Sequence, residues 1–259
     1  MIKIDLKKIT NDLLSTFFDA GKLAKRIAHR GVKTTIKDDN TPVTDGDLAV
    51  DRLLREKISS LTADIAIISE ETVDLDKRNE HKNFWLIDPI DGTKDYIKKK
   101  DEYTLNAALI INLKPVIGMV YAPEKDRFFY SYGLGSAFEI HKGKTTVLNC
   151  RKKTKKGKVF AVHNSSILTP DILKIHEENK VFSFTKMSSS LKFCIIAAGE
   201  ADIYAARARA YEWDIAAGHA IVEHAGGSVT TLGGKKIFYG KENYKNPAIL
   251  VKRAKQLDL

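Results

Sequence analysis

The chain has 259 residues, of which 43% are hydrophobic and 29% charged, a composition typical of a globular protein with a sizeable core. Residues 1–8 contain acids and bases but no apolar run, and the longest apolar stretch, residues 105–113, is too short to span a bilayer. We therefore predict neither a signal peptide nor stable membrane insertion. Cys150 and Cys194 are too few for a disulfide framework and favour a cytoplasmic location.

The net charge of +10 suits either nucleic acid or a small polyanionic substrate as a partner. The most basic run, residues 151–158, lacks the interleaved aromatic residues of a stacking platform, and the sequence shows no nucleic-acid-binding motif. We therefore expect no nucleic-acid partner. We interpret the basic run as a solvated connector between two domains, residues 1–150 and 151–259, with a polyanion groove as the alternative.

Helical spacing of apolar residues over 6–27 predicts a long first helix that ends near Gly31. A polar loop is expected at residues 37–42. A second helix should then carry the apolar residues of 48–58, with Thr44 or Asp45 as its N-cap.

Strands are predicted for short apolar or alternating runs. Residues 65–68 and 85–87 indicate buried strands, and an antiparallel meander with short turns is expected at 104–112, 116–121, 127–131, 137–141 and 145–148. Beyond the basic run, strands at 159–162, 181–185, 202–204, 228–231 and 248–251 alternate with helices at 171–178, 191–198 and 214–225. This alternation predicts a layered α/β half.

The strongest chemical signal is Asp88-Pro89-Ile90-Asp91-Gly92-Thr93, which directly follows an apolar run. Two buried aspartates would be costly without a cation, and their hard oxygen atoms suit Mg²⁺ holding a phosphate. Glu70, Asp47 and Asp214 also lie at the ends of predicted elements. Each has a structural alternative: a solvated strand end for Glu70 and Glu71, a first-turn acid for Asp47 and an N-cap for Asp214.

Two motifs together resemble those of the lithium-sensitive, Mg²⁺-dependent phosphatases related to inositol monophosphatase. They are Asp-Pro-x-Asp-Gly-Thr at residues 88–93 and Trp-Asp-x-Ala-Ala-Gly at residues 213–218. The Glu70-Glu71 pair and Thr44-x-x-Asp47 agree with them, and the resemblance extends over nearly the whole chain. It implies an α+β or α/β fold, a layered αβαβα sandwich of the inositol monophosphatase and fructose-1,6-bisphosphatase type.

Within that family the chain is similar to the CysQ-type 3′(2′),5′-bisphosphate nucleotidases, which remove the 3′-phosphate of adenosine 3′,5′-bisphosphate. The similarity is carried by residues 40–50, 94–96, 189–194 and 211–214. Many such enzymes have a Pro-Arg-Phe-Gly-like stretch before the last of these segments, where this chain reads Ala205-Ala206-Arg207-Ala208-Arg209-Ala210, and Ser188 replaces a common glycine. Arg207 or Arg209 could clamp the 5′-phosphate, or each could be a solvated loop arginine.

The resemblance also implies roles for individual residues. The implied metal ligands are Glu70, Asp88, the carbonyl of Ile90, Asp91 and Asp214. The implied catalytic residues are Asp47 and Thr93, which activate the attacking water, together with Glu70. The implied substrate-binding residues are Ile90, Asp91, Gly92, Thr93, Ser189, Lys192 and Asp214, with Gly92 and Thr93 offering backbone N–H groups at a helix N-terminus.

The predicted cofactor is Mg²⁺, as two or three ions, and two such ions about 3.5–4 Å apart suit phosphate-ester hydrolysis. The predicted partner is a small phosphorylated substrate, bound by a monomer or a homodimer. An enzyme acting on a polyol or sugar phosphate is the first alternative, and a non-catalytic basic nucleic-acid-binding protein is a distant one. His219 and His224 are five residues apart and do not share a helix face as zinc ligands would, and Cys194 is predicted to lie in the core.

Overall fold

The computed structural model describes residues 4–37, 40–75, 80–150 and 157–254. Most of the predicted connector, residues 151–156, lies outside the described residues. The helices are α1 (Leu6–Arg30), α2 (Asp45–Leu61), α3 (Thr93–Ile97), α4 (Pro170–Glu178), α5 (Leu191–Ala197) and α6 (Glu212–His224). None of the helices in these ranges is long and apolar enough to cross a membrane.

The described strands form three sheets. A two-stranded antiparallel sheet contains β1 (Thr34–Ile36) and β2 (Pro42–Thr44). A seven-stranded sheet contains, in spatial order, β3 (Ala66–Ser69), β4 (Phe84–Asp91), β5 (Thr104–Ile111), β6 (Lys114–Ala122), β7 (Arg127–Ser131), β8 (Ala137–His141) and β9 (Lys144–Val147). A five-stranded sheet contains β10 (Val159–His163), β11 (Val181–Lys186), β12 (Ile203–Ala206), β13 (Ser228–Thr231) and β14 (Ile249–Lys252), in the order β11-β10-β12-β14-β13.

The helices and sheets stack in five layers. Helices α1 and α2 pack on one face of the seven-stranded sheet, and α5 and α6 lie between that sheet and the five-stranded sheet. Helix α4 connects β10 to β11, and α5 connects β11 to β12. The two connections cross the sheet in opposite directions, and because such crossovers are right-handed, the two helices lie on opposite faces. Helix α4 contacts β11 and β12 on its face. The predicted αβαβα sandwich is confirmed.

Strand β4 shows why the central strands read as continuous apolar runs. Successive side chains point to opposite faces of a sheet, and both faces here are covered. Phe84 and Leu86 belong to the core on the α5–α6 side, whereas Trp85 and Ile87 belong to the core on the α1–α2 side. The first of these cores also contains residues from beyond position 157, such as Phe193. The division of the chain into domains at residue 150 stays a prediction.

Most element boundaries agree with the sequence-based expectations, with two informative differences. The region predicted as a loop contains the end of the β1–β2 hairpin, since Pro42 begins β2. Both strands have only three residues and β1 is fully exposed, so hydrophobic periodicity could not indicate them. Helix α6 begins at Glu212 rather than at Asp214, whereas Thr44 is the N-cap of α2 as predicted.

Candidate active site

Four element ends bring the predicted acidic residues to one place. Strands β3 and β4 are parallel neighbours, so their carboxyl ends lie at the same edge, and the Glu70 N–H donates to the Ile87 carbonyl at 3.1 Å. Asp88 and Asp91 occupy the last part of β4. The first turn of α2 supplies Asp47, and the first turn of α6 supplies Asp214. The acids separated in sequence therefore converge in the fold.

Glu70, Asp88 and Asp214 form the tightest carboxylate group, which we call the carboxylate triad. One oxygen atom of each lies within 4.8 Å of the corresponding atoms of the other two. Asp88 is only 1% exposed, and its Oδ1 has no hydrogen-bond partner among the described residues. A buried carboxylate oxygen without a donor is rare in folded proteins, so the site fits a hard cation such as Mg²⁺.

The electrostatics of the triad agree with a cation site. Burial, together with the negative charges of Glu70 and Asp91, raises the pKa of Asp88 well above its usual range. Burial and the same two neighbours raise the pKa of Asp214. Burial also raises the pKa of Glu70 to about 7, with Lys37 opposing and Glu71 adding to the shift. A divalent cation would relieve both the repulsion and the desolvation of these carboxylates.

Asp47, Thr93 and Ile90 meet beside the triad. Asp47 is buried, and its Oδ2 accepts hydrogen bonds from the Thr44 backbone N–H at 2.8 Å and from the Thr44 hydroxyl at 2.5 Å. The Thr93 hydroxyl lies 3.5 Å from Asp47 Oδ1 and 3.2 Å from the Ile90 carbonyl oxygen. Burial raises the pKa of Asp47 to about 6 despite these hydrogen bonds. The predicted water-activating pair is therefore within hydrogen-bonding reach.

Gly92 lies between β4 and the short helix α3, at the helix N-terminus that the resemblance implied. It is the N-cap of that helix and adopts φ = 95°, a left-handed conformation that favours glycine. A Cβ at this position would lie 3.5 Å from the Tyr103 Cα, so space is not the main constraint. The requirement for glycine at this turn is therefore conformational.

Asp91 lies outside the carboxylate triad and faces a basic residue. Its carboxylate accepts a hydrogen bond from the Ser190 backbone N–H. Burial raises the pKa of Asp91, whereas Lys192 opposes the shift. Lys192 is 5% exposed, donates from Nζ to the Ser189 carbonyl and lies 5.3 Å from the centre of the Tyr204 ring. Burial lowers the pKa of the Lys192 ammonium to about 8.

A cleft of about 590 Å³ opens beside these groups. Its lining includes five residues predicted to bind substrate, namely Asp91, Gly92, Ser189, Lys192 and Asp214. The lining also includes Asn164, Tyr204, Arg207 and Arg209. Acidic and basic side chains therefore share one cavity, which suits a substrate that carries phosphate together with a metal cofactor.

Sequence reasoning missed the contacts of Lys37 and was wrong about Glu71. The Glu71 side chain is 3% exposed and pairs with Lys37 Nζ at 2.7 Å, so it is not a solvated strand end. Lys37 Nζ also lies 3.8 Å from Glu70. Lys37 follows β1 directly, and it turns back because its N–H donates to the Thr41 carbonyl. The β1–β2 hairpin is the feature that brings this lysine near the acids, and a prediction of Lys37 as a site residue would have required that hairpin.

Cys194 lies in the core as predicted, and His219 and His224 are buried side chains with hydrogen-bond partners. His219 Nδ1 lies 2.8 Å from the Tyr239 hydroxyl, and His224 Nδ1 lies 2.9 Å from the Ser131 hydroxyl. Both histidines are buried, and Cys194 is fully buried within α5. Their side chains therefore support packing.

Known proteins resemble this chain over most of its length. A profile of the inositol monophosphatase family matches residues 5–258. A protein named 3′(2′),5′-bisphosphate nucleotidase CysQ from Buchnera aphidicola subsp. Acyrthosiphon pisum is 37% identical over 212 residues, which cover 80% of this chain and 78% of that protein. The protein of the same name from Escherichia coli K12 is 35% identical over 217 residues, covering 83% of this chain and 87% of its own.

Solved structures agree with these sequence relationships. CysQ from Bacteroides thetaiotaomicron, described as a bacterial member of the inositol monophosphatase family, has a TM-score of 0.79 at 27% identity and covers 97% of this chain and 99% of its own. An IMPase/NADP phosphatase complexed with Mg²⁺ and phosphate has the same fold, with a TM-score of 0.79 at 19% identity, covering 96% of this chain and 92% of its own. The chain therefore belongs to the inositol monophosphatase family.

Proposed function

We propose that the protein is a Mg²⁺-dependent phosphomonoesterase that converts adenosine 3′,5′-bisphosphate and water to AMP and phosphate. The observation that carries this proposal is the triad of Glu70, Asp88 and Asp214, with Asp88 buried, beside a cleft that also contains Lys192. The triad fits a cation, and the lysine supplies positive charge for an anionic substrate. The names of the relatives at 35–37% identity support the choice of substrate.

We propose Glu70, Asp88, the Ile90 carbonyl, Asp91 and Asp214 as the groups that would hold two or three Mg²⁺ ions. The orphaned Oδ1 of Asp88 supports this assignment, because its desolvation is otherwise uncompensated. Mg²⁺ retains several water ligands, so these few protein oxygens suffice for more than one ion. When bound, Mg²⁺ supplies positive charge to the phosphate oxygens and lowers the pKa of water.

Asp47 and Thr93 would then move the proton of the attacking water. The Thr93 hydroxyl can accept that proton and pass its own to Asp47 Oδ1, which lies 3.5 Å away. Asp47 suits this role because burial raises its pKa to about 6, which brings its basicity towards the neutral range where a general base works best. Glu70 would contribute to catalysis as a member of the carboxylate triad. The backbone N–H groups of Gly92 and Thr93 would orient the phosphate.

The remaining assignments are also proposals. Ser189 and Lys192 would bind the substrate from the start of α5, which adjoins the end of β4 through the hydrogen bond from the Ser190 N–H to Asp91. The buried thiols of Cys150 and Cys194 support a reducing, cytoplasmic setting. A monomer or homodimer without a nucleic-acid partner stays our expectation for the assembly.

Phosphate release from three substrates tests the proposed function. The substrates are adenosine 3′,5′-bisphosphate, inositol 1-phosphate and fructose 1,6-bisphosphate, each measured with Mg²⁺ and with EDTA. We expect hydrolysis only with Mg²⁺ and the highest kcat/KM for the nucleotide. Asp88→Asn should abolish turnover, and the exposed Asp64→Asn should retain it as a matched control. A far higher kcat/KM for a polyol or sugar phosphate would assign the protein to that alternative, and full activity in EDTA would refute the metal mechanism.

A further inference from the structure

Two arginines line the cleft. Arg207 and Arg209 follow the end of β12 and precede α6. Sequence reasoning left open which of them could contact a substrate. Their partners in the fold differ, and that difference distinguishes them.

Arg207 is bound to a surface carboxylate. Its Nε lies 3.3 Å from Asp171 Oδ2, at the start of α4, and its side chain is 66% exposed. A hydrogen bond with Thr169 and the charge of Arg207 lower the pKa of Asp171. Arg207 therefore directs its charge towards the start of α4.

Arg209 is bound to a residue of the cleft itself. When the Asn164 side-chain amide is oriented with its oxygen towards the guanidinium, that oxygen accepts hydrogen bonds from both Nη atoms of Arg209, at 3.1 Å from Nη1. Asn164 directly follows β10 and lines the same cavity. A guanidinium has five N–H donors, and this contact occupies one edge of the fork. The remaining N–H groups are available for a planar, bidentate contact with an anion.

The charge of Arg209 acts on the groups of the candidate active site. Arg209 lines the same cavity as Asp91 and Asp214, which lie on the metal side of the cleft. It also contributes to the lowered pKa of Lys192, so the two cations are close enough to repel each other. Two cations that line one cavity favour an anion between them.

We propose that Arg209, positioned by Asn164, binds the second phosphate of a bisphosphate substrate, the one that is not hydrolysed, and that Arg207 has no part in this contact. The inference rests on the proposed function and deepens it by naming the residue that selects a bisphosphate over a monophosphate. Arg209 binds this group through charge-assisted hydrogen bonds, and Asn164 acts as a positioning residue.

The test compares kcat/KM for adenosine 3′,5′-bisphosphate and adenosine 3′-monophosphate in the same preparations at saturating Mg²⁺. We expect R209A to lower the ratio of the two values by about ten- to one-hundred-fold, the range of a charge-assisted hydrogen bond, and R209K to recover part of it. R207A, the matched control, should change the ratio by less than about two-fold. N164A should raise KM for the bisphosphate more than it lowers kcat.

Three results would overturn the proposal: an unchanged ratio in R209A, an equal loss in R207A, or an equal loss on both substrates. Thermal unfolding of each variant identifies a loss caused by misfolding, and R209K then provides the decisive comparison. If the wild-type protein hydrolyses neither nucleotide, the proposed function fails, and equilibrium binding of adenosine 3′,5′-bisphosphate tests Arg209 instead. Weaker binding by R209A than by R207A would support the contact, and equal affinities or no binding by the wild type would refute it.

Discussion

Replacing Asp88 with asparagine should stabilise the protein when no metal is present. Asparagine has nearly the same shape, and the change removes a charge whose neighbours in Glu70 and Asp214 lie within 4.8 Å. At that separation and an effective dielectric constant of about 20, two unit charges repel by about 3.5 kcal/mol. The raised pKa of Asp88 means that proton uptake already relieves part of this repulsion. We therefore expect the free energy of unfolding to increase by about 2 kcal/mol.

Urea unfolding in EDTA at about pH 8, where the carboxylates are most ionised, measures this effect. In a second titration, about 10 mM Mg²⁺ should stabilise the wild-type protein, because a ligand that binds only the folded state adds to its stability. The same Mg²⁺ should stabilise D88N much less, because this variant lacks one of the proposed metal ligands. Asp64→Asn makes the same chemical change at an exposed position and should change stability by less than about 0.5 kcal/mol. A D88N variant that is less stable than the wild type in EDTA would refute the repulsion argument.

Three further predictions concern pH, catalysis and packing. The pKa of Glu70 is raised from its ordinary 4.5 to about 7, so its stabilising contribution is fully present below pH 4.5 and is lost as the pH rises through 7. In EDTA the free energy of unfolding should therefore fall between pH 4.5 and 7. Urea titrations at successive pH values would measure this fall. Thr93→Val should lower kcat about one-hundred-fold while leaving the stabilisation by Mg²⁺ intact, which separates proton transfer from metal binding; loss of both would contradict the assigned role. Gly118→Ala should destabilise the fold by about 2–4 kcal/mol in urea, because a Cβ there would lie 2.8 Å from the Ala220 Cβ and closer still to the Ala217 carbonyl.

The metal side of the candidate site could be predicted from sequence because each of its acids stands at the end of a readable element. An apolar run precedes Asp88, and a helix with a recognisable cap contains Asp47. The parallel pairing of β3 with β4 then brings Glu70 beside Asp88. Periodicity, caps and strand ends are local properties, and they are what a sequence displays most directly.

The basic side of the site could not be predicted in the same way, because its contacts join residues that no local pattern connects. Asn164 and Arg209 come from loops after two different strands of the five-stranded sheet. Lys37 reaches Glu71 only because the short β1–β2 hairpin turns the chain back. Such pairings depend on strand order and loop path, which hydrophobic periodicity does not encode.

The two sides of the cleft are electrostatically coupled, and this coupling affects how the Arg209 variants must be measured. The pKa of Asp214 and Asp91 is raised by burial, and the charge of Arg209 opposes this rise, so its removal would let these carboxylates hold protons at higher pH. A proton on either one competes with a metal ion, because metal ligation requires the ionised carboxylate. At limiting Mg²⁺, R209A would therefore change activity on every substrate through the metal side alone, because it alters both the protonation of these ligands and the repulsion of the metal ion. A loss that persists at saturating Mg²⁺ and alkaline pH, and that is confined to the bisphosphate, would instead arise from direct contact with the second phosphate.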